Sequence, residues 1–207
     1  LGEIHLKKDE ESPDQNKITL LSKDRGITIS DLSFQYEGPQ SEYVLEDLSL
    51  HIPGSKVTAI VGMSGSGKTT LIKLMLGFYP PVGGEIKVGE YAFENISMRM
   101  WRGKCGVVMQ DGFIFSDTIA KNIAVSDEIV DREKLHHAAE VANIREFIEG
   151  DLPLGYQTKI GGEGHGLSQG QKQRILIARS VYKNPEYLFF DEATNALDAN
   201  NEKVIRL

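Results

Sequence analysis

Residues 62–69 read GMSGSGKT, which matches the phosphate-binding pattern G-x-x-x-x-G-K-[ST] at every position. Glycines let the backbone turn tightly so that successive N–H groups face one centre, and a helix that follows directs its positive end to the same point. Lys68 adds a cation suited to β- and γ-phosphates, and the hydroxyl of Thr69 is a ligand type for Mg²⁺. A glycine-rich surface loop that matches by chance is the alternative, but it requires the pattern, a preceding strand and a following helix all to coincide. The run therefore predicts a nucleotide-phosphate cradle.

A second run could complete this chemistry. The apolar residues 187–190, YLFF, end in Asp191 and Glu192. Asp191 is predicted to belong to the Mg²⁺ shell, and Glu192 to polarise the attacking water as a general base. Short apolar runs that end in a solvated acid are common, so this pattern indicates hydrolysis only in combination with the phosphate cradle.

Periodicity predicts the elements that must position these residues. Alternation of apolar and polar residues over 27–36 and 44–52 predicts antiparallel strands. The apolar run 56–61 predicts a short strand leading into the glycine loop, and Leu71, Leu74, Met75 and Phe78 lie on one stripe of the helix that follows. Strand, glycine loop and helix form the opening unit of a parallel α/β sheet. The remaining predicted elements are a strand at 85–88, a mainly helical region at 111–164 and a helix at 168–183.

Composition limits the possible functions. The net charge is −7, from 23 basic and 30 acidic residues, which argues against broad binding to nucleic acid. Cys105 is the single cysteine, so we expect no internal disulfide and a small core residue there. No apolar run approaches the ~20 residues of a membrane-spanning helix, so any link to a membrane must come from a partner or from another part of the polypeptide.

Residues 167–171, LSQGQ, point to one family. Ser168 and Gln171 have the spacing of a capping box for the following helix, and a helix N-terminus preceded by glycine can bind an anion. The run closely resembles the signature of ATP-binding cassette (ABC) proteins, usually LSGGQ, with Gln169 in place of the usual glycine. Residues 172–179 and 191–198 also resemble this family, in the family order.

The resemblance implies an α/β fold: a P-loop NTPase core with a parallel sheet, an antiparallel β subdomain on the N-terminal side and an inserted helical subdomain at about 111–167. The ABC domain would span 26–207, truncated at its C-terminus and preceded by a linker at 1–25 from a membrane domain. A flexible tail is favoured for the leader up to Lys23. Because a family histidine expected beyond Glu192 is missing, we expect the isolated fragment to be weakly active.

The resemblance also implies roles for individual residues. ATP and Mg²⁺ would be sandwiched in a head-to-tail homodimer. The residues assigned to nucleotide binding are Tyr36, Gly62, Ser64, Gly65, Ser66, Gly67, Lys68, Thr69, Thr70, Ser168, Gly170 and Gln171. The catalytic residues are Glu192, Lys68 and Gln110, and the metal ligands are Thr69, Gln110 and Asp191.

The resemblance implies further roles for three residues. Tyr36 would stack on adenine, although a strand aromatic packed in the core is the alternative. Gln110 would sense Mg²⁺ and the attacking water, and it begins the segment that contacts the membrane domain. Asp198 would communicate across the dimer.

Exporter features distinguish this chain within the family. Residues 111–115, DGFIF, and 158–166, TKIGGEGHG, resemble the exporter form. The short segment between Gln110 and Leu167 lacks the heptads and cysteine pairs of repair and chromosome proteins. The resemblance thus implies an exporter at the cytoplasmic face of a bacterial inner membrane, with a fused or associated transmembrane domain and no nucleic-acid partner. Peptide or bacteriocin cargo is favoured; lipid or drug export, and a soluble ATPase acting on nucleic acid, remain alternatives.

Overall fold

The computed structural model describes residues 17–191, except positions 24, 39, 126, 163 and 165. Glu192, Asp198 and the first sixteen residues therefore lie outside the described residues. The chain divides into two compact units, residues 1–103 and 104–207.

The first unit contains a four-stranded antiparallel sheet. Its strands are β1 (Ile27–Phe34), β2 (Leu45–Ile52), β3 (Gly83–Val88) and β4 (Tyr91–Ala92), in the order β2-β1-β3-β4. In β1, Ile27, Ile29, Leu32 and Phe34 are buried, because alternate side chains of a strand share one face. The predicted antiparallel strands are confirmed.

Two helices pack with this sheet. Helix α1 (Lys68–Met75) buries Leu71 and Leu74, and helix α2 (Met98–Lys104) places the fully buried Trp101 so that its indole N–H donates to the carbonyl of Met75 at 2.8 Å. Phe78 was predicted on the buried stripe but is 53% exposed, because α1 ends at Met75 and the chain turns away.

The prediction of a strand at residues 56–61 is wrong. It has no strand assignment, and Val57 and Val61 are each 92% exposed. A strand exists through its ladder partners, and no strand among the described residues pairs with this segment. Apolar character alone could not predict whether such a partner is in place.

The end of the leader is docked. Ile18 forms a parallel bridge with Ile96; its N–H donates to the carbonyl of Asn95 at 2.8 Å, and its carbonyl accepts from the N–H of Ser97 at 2.9 Å. The expectation of a flexible tail is therefore wrong for this part of the leader, because a short β-type pairing can hold a segment that has no amphipathic period of its own.

The second unit contains a parallel strand pair and a helical region. Strand β5 (Cys105–Val108) pairs in parallel with a later strand, β8 (Tyr187–Phe190), which confirms the predicted parallel sheet. Cys105 is 2% exposed and forms no disulfide, as expected for a small core residue. The short strands β6 (Asp117–Thr118) and β7 (Lys159–Ile160) pair antiparallel. These two-residue strands were not predicted, because they are too short to show periodicity.

The helices of this unit surround one apolar cluster. They are α3 (Ile119–Ile123), α4 (Arg132–Val141), a π-helix at Phe147–Asp151, a 3₁₀ helix at Gly155–Gln157 and α5 (Gln169–Tyr182). The predicted helices at 131–142 and 168–183 are confirmed as α4 and α5. Within the part of the chain that the structure describes, no helix combines the length and apolarity that crossing a bilayer requires.

Candidate nucleotide-binding site

The glycine loop of the first unit has the geometry of an anion cradle. Gly67 precedes α1 with a left-handed φ of 86°, no side chain caps the helix, and no acid lies in its first turn. A Cβ at Gly67 would lie 2.7 Å from Leu45 Cδ2, and one at Gly62 would lie 2.6 Å from Ser66 Oγ. Gly67 is thus favoured by its left-handed backbone and its close neighbours, and a side chain at Gly62 would displace the Ser66 hydroxyl. The uncapped helix end suits a negatively charged ligand.

Lys68 is folded back over the loop. Its Nζ donates to the carbonyls of Gly62 at 2.9 Å and Met63 at 2.7 Å, and lies 3.4 Å from Ser66 Oγ. The cation predicted to bind phosphate is therefore held at the cradle. Ser64 and Gly65 form the exposed tip of the loop, where Gly65 has φ 80°.

Tyr36 lies near the start of α1. Its hydroxyl hydrogen-bonds that of Thr70 at 3.0 Å, and its ring meets Phe34 and Tyr79 edge-on, with centroids 4.9 and 5.3 Å away. The ring remains 45% exposed. Tyr36 is thus neither a wholly core residue nor an isolated surface aromatic. The sequence did not reveal the contacts with Thr70 and Tyr79, because no local pattern links these positions.

The signature run forms the N-terminus of α5 in the second unit. Ser168 Oγ accepts from the N–H of Gln171 at 3.2 Å, and Gln171 Oε1 accepts from the N–H of Ser168 at 2.8 Å. The predicted capping box is therefore confirmed. A Cβ at Gly170 would meet no atom within 4 Å, so packing of the described residues does not require glycine there.

Two other predicted site residues lie at one edge of the parallel pair. Asp191 follows β8, is 4% exposed, and donates its N–H to the carbonyl of Val108 at 2.9 Å. Gln110 follows β5 two residues after Val108 and is exposed. Because Val108 is paired with Phe190, the two strands deliver Gln110 and Asp191 to the same edge of this sheet. Glu192, the proposed base, is outside the described residues.

The proposed magnesium ligands have suitable chemistry. Thr69 offers a hydroxyl, Gln110 an amide oxygen and Asp191 a carboxylate, and oxygen donors of this kind suit a hard divalent cation. Thr69 belongs to the first unit, whereas Gln110 and Asp191 belong to the second. Each of these donors is of a chemical type that fits Mg²⁺.

Known proteins match this arrangement. The sequence model of the ABC transporter family matches residues 45–195. The chain is 42% identical over 181 residues to a protein of Bacillus subtilis (strain 168) named as a multidrug export ATP-binding/permease protein, YgaD, an alignment that covers 87% of this chain and 31% of the relative. It is 41% identical over 191 residues to the toxin RTX-I translocation ATP-binding protein of Actinobacillus pleuropneumoniae, covering 92% of this chain and 27% of the relative.

A solved structure agrees with these relatives. A bacterial Atm1-family ABC exporter with ATP bound matches with a TM-score of 0.84 and 37% identity, covering 94% of this chain and 33% of that one. The chain thus spans about a third or less of the length of the proteins it matches. Together with the glycine loop, the capped signature and the acid at the sheet edge, these matches show that the chain belongs to the ABC transporter family, as the nucleotide-binding domain of an exporter-type member.

Proposed function

We propose that this domain binds MgATP, hydrolyses it to ADP and phosphate, and thereby drives export through a transmembrane domain on whose cytoplasmic face it sits. The observation that carries the proposal is the glycine loop, with Lys68 held over it and an uncapped helix end behind it. ABC domains of exporters hydrolyse ATP to drive translocation, and the matching exporter structure has ATP bound.

Each part of the site has a task in this reaction. The loop N–H groups and Lys68 hold the β- and γ-phosphates where negative charge develops. Thr69, Asp191 and Gln110 would hold Mg²⁺, which would neutralise charge on the phosphate oxygens. Glu192 orients the attacking water and accepts its proton.

A second copy of the domain is proposed to complete the site. Ser168 caps α5 through its side chain, which leaves the positive end of the helix dipole directed toward the signature run. The open space at Gly170 allows a phosphate to approach closely. We therefore place the γ-phosphate of one copy at Ser168, Gly170 and Gln171 of the other, so that ATP is sandwiched in a homodimer.

Glu192→Gln in the complete transporter tests the ATPase. The amide cannot accept the proton of the attacking water, so turnover should fall by about 10²–10⁴-fold, while ATP affinity stays within about threefold, since the phosphate contacts are intact. Phosphate release and equilibrium ATP binding are the measurements. Glu140→Gln, an exposed acid on α4 with 68% side-chain accessibility, is the matched control. Turnover at the parental rate in Glu192→Gln would show that the base is wrongly assigned.

For the cargo, we favour a peptide or bacteriocin. One relative, of Actinobacillus pleuropneumoniae, is named for translocation of a toxin, which is compatible with this choice. The relative named for multidrug export is equally similar and supports the drug alternative. Vesicles containing the complete transporter should accumulate a labelled peptide, but not a hydrophobic cationic dye, when MgATP is supplied outside. Accumulation of the dye alone would favour the alternative.

A further inference from the structure

The loop that follows Gln110, residues 111–115, presents two aromatic side chains and is named the aromatic loop. Phe113 is 68% exposed and Phe115 is 44% exposed, and their rings meet edge-on at 5.2 Å. Neighbouring exposed aromatic side chains on a soluble surface mark a contact site. The resemblance to ABC proteins implies that the segment beginning at Gln110 contacts the transmembrane domain.

Arg179, on the signature helix α5, contacts this loop through hydrogen bonds and through the Phe115 ring. Its Nη1 donates to the carbonyl of Phe113 at 2.9 Å, its Nε donates to the carbonyl of Asn122 at 2.8 Å, and its Cζ lies 5.2 Å from the centroid of the Phe115 ring. Burial lowers the pKa of Arg179, but a guanidinium keeps its charge in proteins. The guanidinium of Arg179 therefore hydrogen-bonds the backbone at Phe113 and lies over the ring of Phe115.

Asn122, on α3, forms hydrogen bonds with both the aromatic loop and Arg179. It is fully buried, and its Oδ1 accepts both from the N–H of Phe115 at 2.8 Å and from Arg179 Nη2 at 3.3 Å. Its Nδ2 donates to the carbonyls of Phe115 and Thr118, each at 3.0 Å. These hydrogen bonds connect the backbone of the loop to Asn122 and, through Arg179, to α5.

Packing on both sides of the signature reinforces the link. A Cβ at Gly112 would lie 2.2 Å from Leu176 Cδ1, so α5 and the start of the loop are in direct contact. The strand that follows the loop pairs with the strand that leads to the signature, Asp117 with Ile160. The aromatic loop is thus attached both to the segment before the signature and to the helix after it.

We propose that Arg179 is a positioning residue that makes the aromatic loop and the signature helix move as one body, so that closure of the signature on ATP is transmitted to the transmembrane domain; the proposal rests on the function proposed above. Arg179 contacts Phe113, Phe115 and Asn122, none of which belongs to the proposed nucleotide site. Its effect is therefore on how much transport each hydrolysed ATP produces.

Arg179→Lys in the complete transporter tests this role. Lysine keeps the charge but cannot donate in three directions while stacking on a ring. Molecules transported per ATP hydrolysed should fall about fivefold or more, as expected when hydrogen bonds from a charged donor are lost, while the KM for ATP stays within about twofold. The matched control is Arg174→Lys on the same helix, whose Nη1 donates to the carbonyl of Asn143; its coupling ratio should stay parental.

Hydrogen exchange separates the possible failures. In the parental transporter, MgATP should protect both residues 62–69 and residues 112–118; in Arg179→Lys, only the first segment should remain protected. The positioning role is overturned if Arg179→Lys keeps the parental coupling ratio and protection at 112–118, or if Arg174→Lys loses coupling to the same extent. Absence of ATP protection at 62–69 in the parent would instead overturn the proposed function, and this inference with it.

Discussion

At the residue scale, Lys68 shows how a charged group is kept ready for its ligand. Its ammonium donates to two carbonyls of its own loop, Gly62 and Met63, so it is already hydrogen-bonded at the loop before nucleotide binds. Phosphate oxygens are stronger acceptors than peptide carbonyls because they are charged. Replacing the carbonyl acceptors of Lys68 with phosphate oxygens therefore favours ATP binding, and it requires no large movement of the side chain.

We predict that Lys68→Ala weakens MgATP binding by about 10–100-fold, the range expected for losing a hydrogen bond to a charged group. The loop should keep its shape, since the glycines and the α1 backbone are unchanged. Titration calorimetry or a fluorescent ATP analogue measures the affinity. Lys73→Ala, in the last turn of the same helix, should bind as the parent does. Equal affinity of Lys68→Ala and Lys73→Ala would contradict the role of Lys68.

At the element scale, the N-terminus of α5 combines two tasks. The capping box of Ser168 and Gln171 stabilises the helix, and the same turn is proposed to face the γ-phosphate of a second copy. Truncation of the Ser168 side chain removes both effects at once, so a second substitution that keeps the cap is needed to distinguish them.

We predict that Ser168→Ala lowers the free energy of unfolding by about 1 kcal/mol, the usual cost of a lost N-cap. Ser168→Asp keeps a good cap, so stability should remain parental, but its carboxylate repels a phosphate. ATP-dependent association of two copies should therefore be lost in Ser168→Asp. Chemical denaturation and light scattering are the measurements. If Ser168→Asp associates with ATP like the parent, the signature does not face phosphate.

At the scale of the whole molecule, the site residues are divided between the two units. The glycine loop and Tyr36 belong to the first, and the signature run, Gln110 and Asp191 belong to the second. In the proposed dimer, the loop of each copy is closed by the signature of the other. Association should therefore require nucleotide and should be most persistent when hydrolysis is blocked.

We predict that the domain carrying Glu192→Gln forms a dimer in MgATP and returns to a monomer when nucleotide is removed. ATP supplies contacts to both copies only in the closed state, so it shifts the equilibrium toward that state. Light scattering coupled to size exclusion gives the mass directly. Adding Lys68→Ala should abolish the dimer. A dimer that persists without nucleotide would contradict ATP as the link.

Local patterns in the sequence were sufficient for much of the fold and site. The glycine loop, the capping box of Ser168, the alternation in β1 and the acid after β8 could each be predicted, because backbone geometry, helix capping and strand burial depend on residues a few positions apart. The same residues carried the resemblance to ABC proteins. The sequence alone therefore predicts the signature helix and the antiparallel strands.

Tertiary structure decided what depends on distant positions. Arg179 and Asn122 are 57 residues apart in the chain, and Tyr36 and Thr70 are 34 apart; no period or motif connects them. The bridge from Ile18 likewise depends on which segments meet in space, as does the lack, among the described residues, of a ladder partner for residues 56–61. Side chains far apart in sequence acquire partners only when packing brings them together, so the link between the signature helix and the aromatic loop could be found only in the folded chain.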